Sequence, residues 1–382
     1  MPRRLAICFE FPTLSGGERS MLAVLEAPPP PGWEVVLLAP GDGPVAQAAA
    51  AIGLDVVDWR LRENGHKPPP EWAAESLRQA LAGVAADSVH ANSLSLARVT
   101  GRLARDRPDE ALPSTGHLRD IMRLSRAALA DLAANTQLLA VSPAVHNAFA
   151  TQSAHLGEQI TVVPNGIAPL PACPLNGDEI NGDGNDDATG GDKTLRSELA
   201  VPPGIPLFAT VGQIGLRKGH DLARDALALL AGDAKQPVDF RWLVIGERFS
   251  QKAESVAYEA ALSDGLGDRV RRLGYRQDVP AILRQVDLLL HPARQEPFGR
   301  VLLEAAEAGC PVVGFEVGGN RFSLPRSRLV PLEGVSRTDA VAGLAAAIRA
   351  SLADPIREAA GRFPIQRCRE RTWAIWQAAA EA

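Results

Sequence analysis

The stretch RQEPFGRVLLEAAEAGCPVV, residues 294–313, contains two acidic residues around an apolar run. Glu296 precedes a Pro-Phe-Gly sequence, and Glu304 falls inside a segment whose apolar residues have helical spacing. Gly309 predicts the end of this helix, and the apolar residues after it predict a buried strand. A helix followed directly by a buried strand is typical of α/β proteins.

The same alternation extends through the rest of the chain. We predict strands at residues 5–11, 33–39, 87–91, 137–141, 160–164, 206–214, 240–246, 269–275, 286–292 and 310–315. The clearest helical segments are residues 19–27, 94–105, 221–231 and 300–308. Short apolar strands alternating with helices indicate parallel sheets covered on both faces, so the predicted fold class is α/β.

The length of 382 residues favours two domains. Residues 171–193 break the alternation, because they are rich in Gly, Asn and Asp and hold six acidic residues. We expect a mobile linker or surface insertion there. A calcium-binding EF-hand loop is not predicted, because its sixth and twelfth positions would be Ala188 and Thr194. The remaining residues 1–170 and 195–360 each have the size of a Rossmann-like domain.

Composition argues against several classes of protein. The formal net charge is only −5 and the basic residues are scattered, so no nucleic-acid partner is expected. The four cysteines lie far apart, which argues against a structural zinc site or disulfides and favours a reducing compartment. No apolar run reaches the ~18 residues of a membrane-spanning helix, and Glu10 interrupts the short N-terminal run. We therefore expect a cytoplasmic protein.

The stretch VGQIGLRKGHD, residues 211–221, has features of a phosphate-binding turn. A predicted strand ends near Ile214, the turn carries Arg217 and Lys218, and Asp221 is the predicted N-cap of the next helix. Free backbone amides at a helix start, beside a lysine, suit a phosphate group. The alternative is an ordinary solvated loop between a strand and a helix.

The two glutamates of the opening stretch suit the ends of an elongated ligand. Glu304 lies six residues beyond Phe298, roughly 9 Å along a helix axis, and Gly299 would let backbone approach a ligand closely. Carboxylates accept hydrogen bonds from sugar hydroxyls, while amides and Lys218 would hold phosphates between them. A nucleotide sugar has this layout of ribose, diphosphate and hexose.

Both glutamates also have plainer explanations. Glu304 could pair with Arg300 four residues earlier on the helix. Glu296 could favour the helix dipole from beside the first turn, for which Pro297 is suited.

Taken together, these segments resemble the retaining family-4 glycosyltransferases of the GT-B fold, also called glycosyl transferases group 1, over nearly the full length. Glu296 and Glu304 match their Glu-x7-Glu motif, and further segments match in order and spacing: residues 162–167, 211–219, 283–293 and 317–320. The resemblance implies two Rossmann-like domains whose parallel sheets face a central cleft. It places the acceptor-side domain at 1–170, a linker at 171–194, the nucleotide-sugar domain at 195–360, and a helix crossing back at 361–382.

The resemblance also implies roles for individual residues. Glu296 would bind the donor hexose near the reacting carbon, and Glu304 would bind the donor ribose. Lys218 would neutralise the leaving diphosphate, with help from Arg217. The other residues assigned to donor binding lie between the two glutamates: Phe298, Gly299 and Arg300.

The resemblance also implies roles for two features of the first domain. Ser15 and Glu18 form a capping-box pattern around Gly16 and Gly17, and this loop is implied to approach the donor phosphate or the acceptor. His117 is implied to be a cleft histidine near the donor sugar. Its imidazole could hydrogen-bond a sugar hydroxyl or orient the acceptor, whereas a lone histidine is more often structural.

Basic residues follow this histidine. If their segment is helical, Arg119, Arg123 and Arg126 share one face, which is most simply a solvated face. Peripheral docking at the inner face of an anionic membrane is the alternative. His90 and Asn92 are expected only to support the site.

We therefore predict a hexosyltransferase that uses a UDP- or GDP-linked sugar, retains the anomeric configuration, and needs no metal or further cofactor. Its acceptor would be an unidentified glycan, lipid or small molecule. Two departures from the family pattern are Gln213, in the place of an arginine, and the absence of an acid shortly after Gly319. The alternatives are therefore an inactive module that binds a sugar nucleotide or glycan, and a GT-B epimerase.

Overall fold

The computed structural model describes residues 1–62, 66, 68–170, 194–248 and 250–382. The expected linker at 171–193, with its rejected calcium loop, lies outside the described residues. Packing divides the chain into two units, namely Met1–Ala168 with Phe363–Ala382, and Pro169–Arg362. The roles that the resemblance gives to the two domains stay predictions.

Unit 1 contains a parallel sheet flanked by helices. Its described strands are β1 (Arg3–Cys8), β2 (Trp33–Ala39), β3 (Asp55–Asp58), β4 (Ser88–Ala91), β5 (Ser114–Leu118), β6 (Gln137–Ala140) and β7 (Ile160–Val162). They pair in the order β3-β2-β1-β4-β5-β6-β7, and every pair is parallel. The helices are α1 (Gly16–Leu25), α2 (Pro44–Ala51), α3 (Pro70–Gly83), α4 (Leu94–Asp106), α5 (Arg126–Ala133), α6 (Pro143–Ala150) and α7 (Ala154–Gln159).

Unit 2 repeats this arrangement with a second parallel sheet. Its described strands are β8 (Leu207–Val211), β9 (Arg241–Ile245), β10 (Val270–Gly274), β11 (Leu288–His291), β12 (Val312–Phe315) and β13 (Arg328–Val330). They pair in the order β10-β9-β8-β11-β12-β13. The helices are α8 (Leu195–Glu198), α9 (His220–Ala231), α10 (Ala253–Ala260), α11 (Val279–Leu283), α12 (Arg300–Glu307), α13 (Asn320–Ser323) and α14 (Arg337–Ala353).

The α/β prediction is confirmed, and each of the ten predicted strands is present. Sequence reasoning missed β3, β5 and β13. The residues DVVD of β3 and RLV of β13 are too short and too charged to stand out. The residues STGHL of β5 are all buried, yet four of the five are polar or glycine, so no apolar run marks the strand.

The final helix, α15 (Ile365–Glu381), packs in unit 1 through two tryptophans. The ring centroids of Trp373 and Trp376 lie 4.9 Å apart, edge to face. Trp373 also contacts Trp33 of β2, and Trp376 contacts His90 of β4 at 5.1 Å between ring centroids. Because the tryptophans bury large apolar surfaces, they fix α15 against the sheet.

Replacing Trp376 by alanine should destabilise unit 1 by about 3–5 kcal/mol, because this fully buried side chain would leave a cavity. Urea unfolding followed by far-ultraviolet circular dichroism measures the change. Glu370→Ala, at an exposed position on the same helix, is the control and should change the free energy of unfolding by less than about 0.5 kcal/mol. Equal effects of the two substitutions would contradict the packing described for α15.

Candidate active site

The candidate site in unit 2 lies at the carboxyl ends of neighbouring strands. The loops after β8 and β11 start from adjacent strands of one parallel sheet, so they meet at the same edge. The first loop ends in a short 3₁₀ turn, Leu216–Lys218, and the second carries Glu296. Fold geometry therefore brings together residues 78 positions apart in the sequence.

Lys218 and Glu296 form a buried ion pair. The Lys218 Nζ donates to Glu296 Oε2 at 2.6 Å, and the two side chains are 15% and 7% exposed. His291, at the end of β11, places Nε2 3.3 Å from the same oxygen. Burial alone would raise the pKa of Glu296, but the Lys218 ammonium and His291 outweigh it and hold this pKa well below its usual range. Glu296 is therefore a carboxylate at neutral pH.

Gly219 allows the turn that carries Lys218 to approach the loop after β11. Its φ of 68° is left-handed, and a Cβ at this position would lie 1.9 Å from the backbone oxygen of Pro292. No L-residue with a side chain fits there without moving the loop. Gly219, rather than the predicted Asp221, is the N-cap of α9, which corrects the sequence-based expectation.

Asp221 instead organises a cluster of charged and polar side chains. It accepts two hydrogen bonds from the Arg294 guanidinium, at 2.8 and 2.7 Å, and others from Arg337 and Tyr258, each at 2.8 Å. Burial opposes the charge of Asp221, but these partners hold its pKa well below the usual range. Arg294 also donates to the backbone oxygen of Leu216 at 2.7 Å. This cluster, which sequence reasoning missed, therefore fixes the turn beside Lys218.

The segment between the two glutamates differs in detail from the prediction. Pro297 does not begin the helix, because α12 starts at Arg300 after Gly299, whose φ is 84°. Phe298 is buried, and its backbone oxygen accepts a hydrogen bond from the Ser323 hydroxyl at 2.8 Å. Gly299 thus allows the chain to turn from the buried Phe298 into the first turn of α12.

Glu304 lies in the middle of α12 and pairs with Arg300. The Arg300 Nε donates to Glu304 Oε1 at 3.0 Å, which is the plainer pairing considered from the sequence. The Glu304 side chain is 14% exposed. Arg217 and Gln213 have exposed positions on the loop after β8. The ligand roles of Glu304 and Arg217 stay predictions.

In unit 1, the glycine pair and His117 also lie at the carboxyl edge of a parallel sheet. The Glu18 carboxylate accepts from the Ser15 backbone N–H at 3.1 Å, which confirms the capping box, and Gly16 begins α1. A Cβ on Gly17 would lie 3.2 Å from Cδ of Arg119. Arg119 therefore lies against the glycine loop.

His117 is the fourth of the five residues of β5. The ring is buried and receives a hydrogen bond from Arg119 Nη2 to Nδ1 at 3.1 Å. Arg119 also donates to Asn92 Oδ1 at 2.9 Å and to Asn165 Oδ1 at 2.8 Å. Burial, with Arg119 and His90 nearby, holds the pKa of His117 well below its usual range. Arg119 and Asn165 lie at this edge of the sheet, and sequence reasoning did not assign either of them to the site.

The basic helix proposed for residues 119–126 does not form. Residues 119–125 are not helical, and α5 starts only at Arg126. Arg119 donates hydrogen bonds to polar side chains at the edge of the sheet, while Arg123 and Arg126 are exposed. The condition for a shared basic face is therefore not met, and peripheral membrane docking stays a prediction.

Two kinds of feature are absent from the described residues. No group of three or more His, Cys, Asp or Glu side chains in the described part of the chain is arranged to hold a metal ion. Within the same residues, none of the helices has both the length and the apolar character required to span a bilayer.

Two family models match the chain, one in each unit. The model described as Glycosyltransferase Family 4 matches residues 14–169, and the model described as Glycosyl transferases group 1 matches residues 205–354. The chain belongs to the family-4, or group 1, glycosyltransferases. Each half of this glycosyltransferase chain thus has its own counterpart in the family.

Curated relatives match over limited segments. The 2-deoxystreptamine glucosyltransferase of Streptomyces kanamyceticus is 36% identical over 129 residues, which cover 33% of this chain and 32% of the relative. The D-inositol 3-phosphate glycosyltransferase of Salinispora tropica is 33% identical over 166 residues, which cover 42% and 33%. The chain therefore spans about a third of the length of these relatives.

Solved structures match over nearly the whole chain. Anabaena HepE in complex with UDP-glucose has a TM-score of 0.73 at 21% identity, covering 98% of this chain and 99% of that one. WaaG, described as a glycosyltransferase of lipopolysaccharide biosynthesis, has a TM-score of 0.64 at 19% identity, covering 97% and 99%. These likenesses show the GT-B fold.

Glu296→Gln should destabilise unit 2 by about 3 kcal/mol at pH 7, because Lys218 would lose its buried partner. The folded-state pKa of Glu296 is depressed, so its contribution is fully present above the ordinary carboxyl pKa of 4.5 and declines as the pH falls below it. Urea unfolding at pH 7, 5.5 and 4 should therefore show the difference from wild type shrinking only at the lowest pH.

The matched control is Glu316→Gln, which breaks an exposed pair with Arg321. Its cost should stay below about 1 kcal/mol. A Glu296→Gln cost as small as that of the control, or one that grows toward pH 4, would show that the buried pair does not stabilise the fold.

Proposed function

We propose that this chain is a glycosyltransferase that moves a hexose from a nucleoside-diphosphate sugar to an acceptor with retention of anomeric configuration. The observation that carries the proposal is the buried contact between Lys218 and Glu296 at the carboxyl edge of the second sheet. One residue belongs to the phosphate-loop segment and the other opens the Glu-x7-Glu motif. A cation and an anion side by side suit a diphosphate joined to a sugar.

In this proposal the donor lies across the start of α12. Glu296 accepts hydrogen bonds from hexose hydroxyls, and Glu304, four residues into the helix, accepts them from the ribose. The first backbone amides of α12 face the diphosphate between them, where the helix dipole favours negative charge. Arg300 holds Glu304 from one side through Oε1, which orients the carboxylate.

Lys218 stabilises the leaving group in the proposed reaction. The bond between the anomeric carbon and the diphosphate oxygen breaks, and the bond from that carbon to the acceptor oxygen forms on the same face. The acceptor's proton goes to the departing diphosphate. The Lys218 ammonium and the helix amides stabilise the diphosphate most strongly as it leaves, because its negative charge increases when the bond breaks. This step requires no metal ion.

Donor binding must change the partner of Lys218. Its ammonium lies 2.6 Å from Glu296 Oε2, and a diphosphate would compete for the same charge. A shift of Lys218 toward the diphosphate also frees Glu296 Oε2 for a sugar hydroxyl. The ion pair therefore keeps both side chains in place before the donor arrives.

A second candidate function is binding of a sugar nucleotide or glycan without turnover. It is favoured by the segment after Gly319, where the described residues differ from the family pattern. Asn320 is fully buried and donates to the backbone oxygen of Phe315 at 2.8 Å, so it serves the fold. The ring of Phe322 lies 6.3 Å from that of Phe298. Measured donor turnover separates this function from the first.

The similar proteins indicate which nucleotides and which acceptor classes to test. HepE was solved with UDP-glucose, which makes UDP the first nucleotide to test, followed by GDP, ADP and CMP. Relatives are named for acceptors as different as 2-deoxystreptamine and D-inositol 3-phosphate. A glycan, a lipid or a small molecule therefore remains the acceptor class to be screened.

A saturating nucleoside diphosphate should raise the thermal unfolding midpoint, because it binds only the native state. With ligand at 100 times its Kd the stabilisation is about 2.7 kcal/mol. Glu304→Ala should reduce this shift by removing the proposed ribose contact. Asp264→Ala, at an exposed turn before β10 on the opposite sheet edge, is the control and should keep the full shift.

If no nucleotide shifts the midpoint of the wild-type protein, the donor site is not functional and the proposal fails. If a nucleotide stabilises wild type and both variants equally, nucleotide binding holds but Glu304 does not contact it.

A further inference from the structure

The contact between Arg119 and His117 determines which nitrogen of the imidazole carries the proton. Arg119 Nη2 lies 3.1 Å from His117 Nδ1. A guanidinium can only donate hydrogen bonds and stays charged throughout the accessible pH range. His117 Nδ1 must therefore be the acceptor, and the proton of the neutral ring resides on Nε2.

The surroundings of His117 oppose a second proton on the ring. Its strand is buried, and the His90 ring lies 5.7 Å away between centroids, edge to face. His90 itself bonds the Thr115 hydroxyl through Nδ1 at 2.8 Å, and burial lowers the pKa of His90 to about 3. Two buried neutral rings beside one guanidinium leave no favourable state with an imidazolium.

The Arg119 guanidinium is held in a fixed orientation. The amide oxygens of Asn92 and Asn165, on loops that follow β4 and β7, accept hydrogen bonds from all three of its nitrogens. Its aliphatic part lies against Gly17 of the glycine loop. Because the fork is held at several points, the direction of the bond to His117 is fixed as well.

The other ring nitrogen of His117 is buried and has no hydrogen-bond partner among the described residues. A buried polar atom without a partner is costly, so in a native protein it calls for an explanation such as a catalytic role or a bound water or ion. With the proton on Nε2, the missing partner must be a hydrogen-bond acceptor.

We propose that Arg119 is a positioning residue that fixes His117 as the Nε2–H tautomer. His117 then acts on the substrate only by donating a hydrogen bond to an oxygen, such as a sugar hydroxyl, and does not accept the acceptor's proton. The substrate part of this inference rests on the proposed transferase function. The tautomer part is a property of the folded chain alone.

The test is long-range proton–nitrogen correlation NMR of the full protein with ¹⁵N-labelled histidine, with His117 assigned from the spectrum of His117→Gln. The wild-type ring should show one neutral tautomer with the proton on Nε2, unchanged between pH 8 and pH 5.5. A proton on Nδ1, or a ring that becomes charged in this range, would overturn the proposal.

Arg119→Met should remove the single-tautomer signature, giving averaged nitrogen shifts and a ring that titrates at higher pH than in wild type. Arg119→Gln serves the same purpose if the methionine variant does not fold, because its amide is uncharged and shorter. A variant that folds and keeps the wild-type ring signature would show that Arg119 does not set the tautomer.

The substrate part is read from turnover once a donor is known. A glutamine amide replaces Nε2–H and an asparagine amide does not reach it, so His117→Gln should be more active than His117→Asn, by on the order of tenfold. Equal activities would contradict donation from Nε2. Failure of every nucleotide to bind would instead reject the transferase function and leave the NMR result standing.

Discussion

The buried ion pair between Lys218 and Glu296 is the constraint on which the candidate site depends. Neither charge can be buried at this edge of the sheet without the other, because an unpaired charge there would cost several kcal/mol. The pair forms only if the loops after β8 and β11 come into contact, which needs Gly219 at the turn and the Asp221–Arg294 contact beside it. Fold and chemistry therefore impose the same requirement on these two loops.

Unit 1 uses a different interaction for a comparable purpose. At the carboxyl edge of its sheet, Arg119 is surrounded by neutral acceptors in the contacts described above, two amide oxygens and an imidazole nitrogen. These hydrogen bonds hold together the loops that follow β4, β5 and β7, and none of the three acceptors is charged. The consequence is a histidine with a defined proton position. In each unit, a basic side chain thus organises the edge at which polar groups gather.

Much of the fold could be predicted from the sequence, because apolar runs of strand length are a local signal. The predictions that failed are those that depend on non-local contacts. β5 carries few apolar residues, and it is a strand because β4 and β6 pair with it on both sides. Asp221 has the composition of an N-cap, but the left-handed Gly219 takes that position, and distant arginines bind the carboxylate.

The candidate site shows the same division. Glu296, Glu304 and Lys218 could be singled out from motif and spacing, since each lies in a distinctive segment. The pairing of Glu304 with Arg300 could also be considered from the sequence, because it is local to one helix. The pairing of Lys218 with Glu296 could not, because it depends on where the loops after β8 and β11 lie. Arg119 was grouped with a helix that does not form, since the contacts that hold it come from residues 27 and 46 positions away.

In the proposed reaction, the Lys218 ammonium exchanges Glu296 for the donor diphosphate when the donor binds. Calorimetric titration of UDP and GDP into wild type, Lys218→Met and Glu296→Gln tests this most directly, because a nucleoside diphosphate lacks the hexose that Glu296 would bind. We expect opposite effects: Lys218→Met weakens binding, and Glu296→Gln tightens it by on the order of tenfold, since Lys218 is released. Weakening by both substitutions, or no effect of either, would contradict the claim.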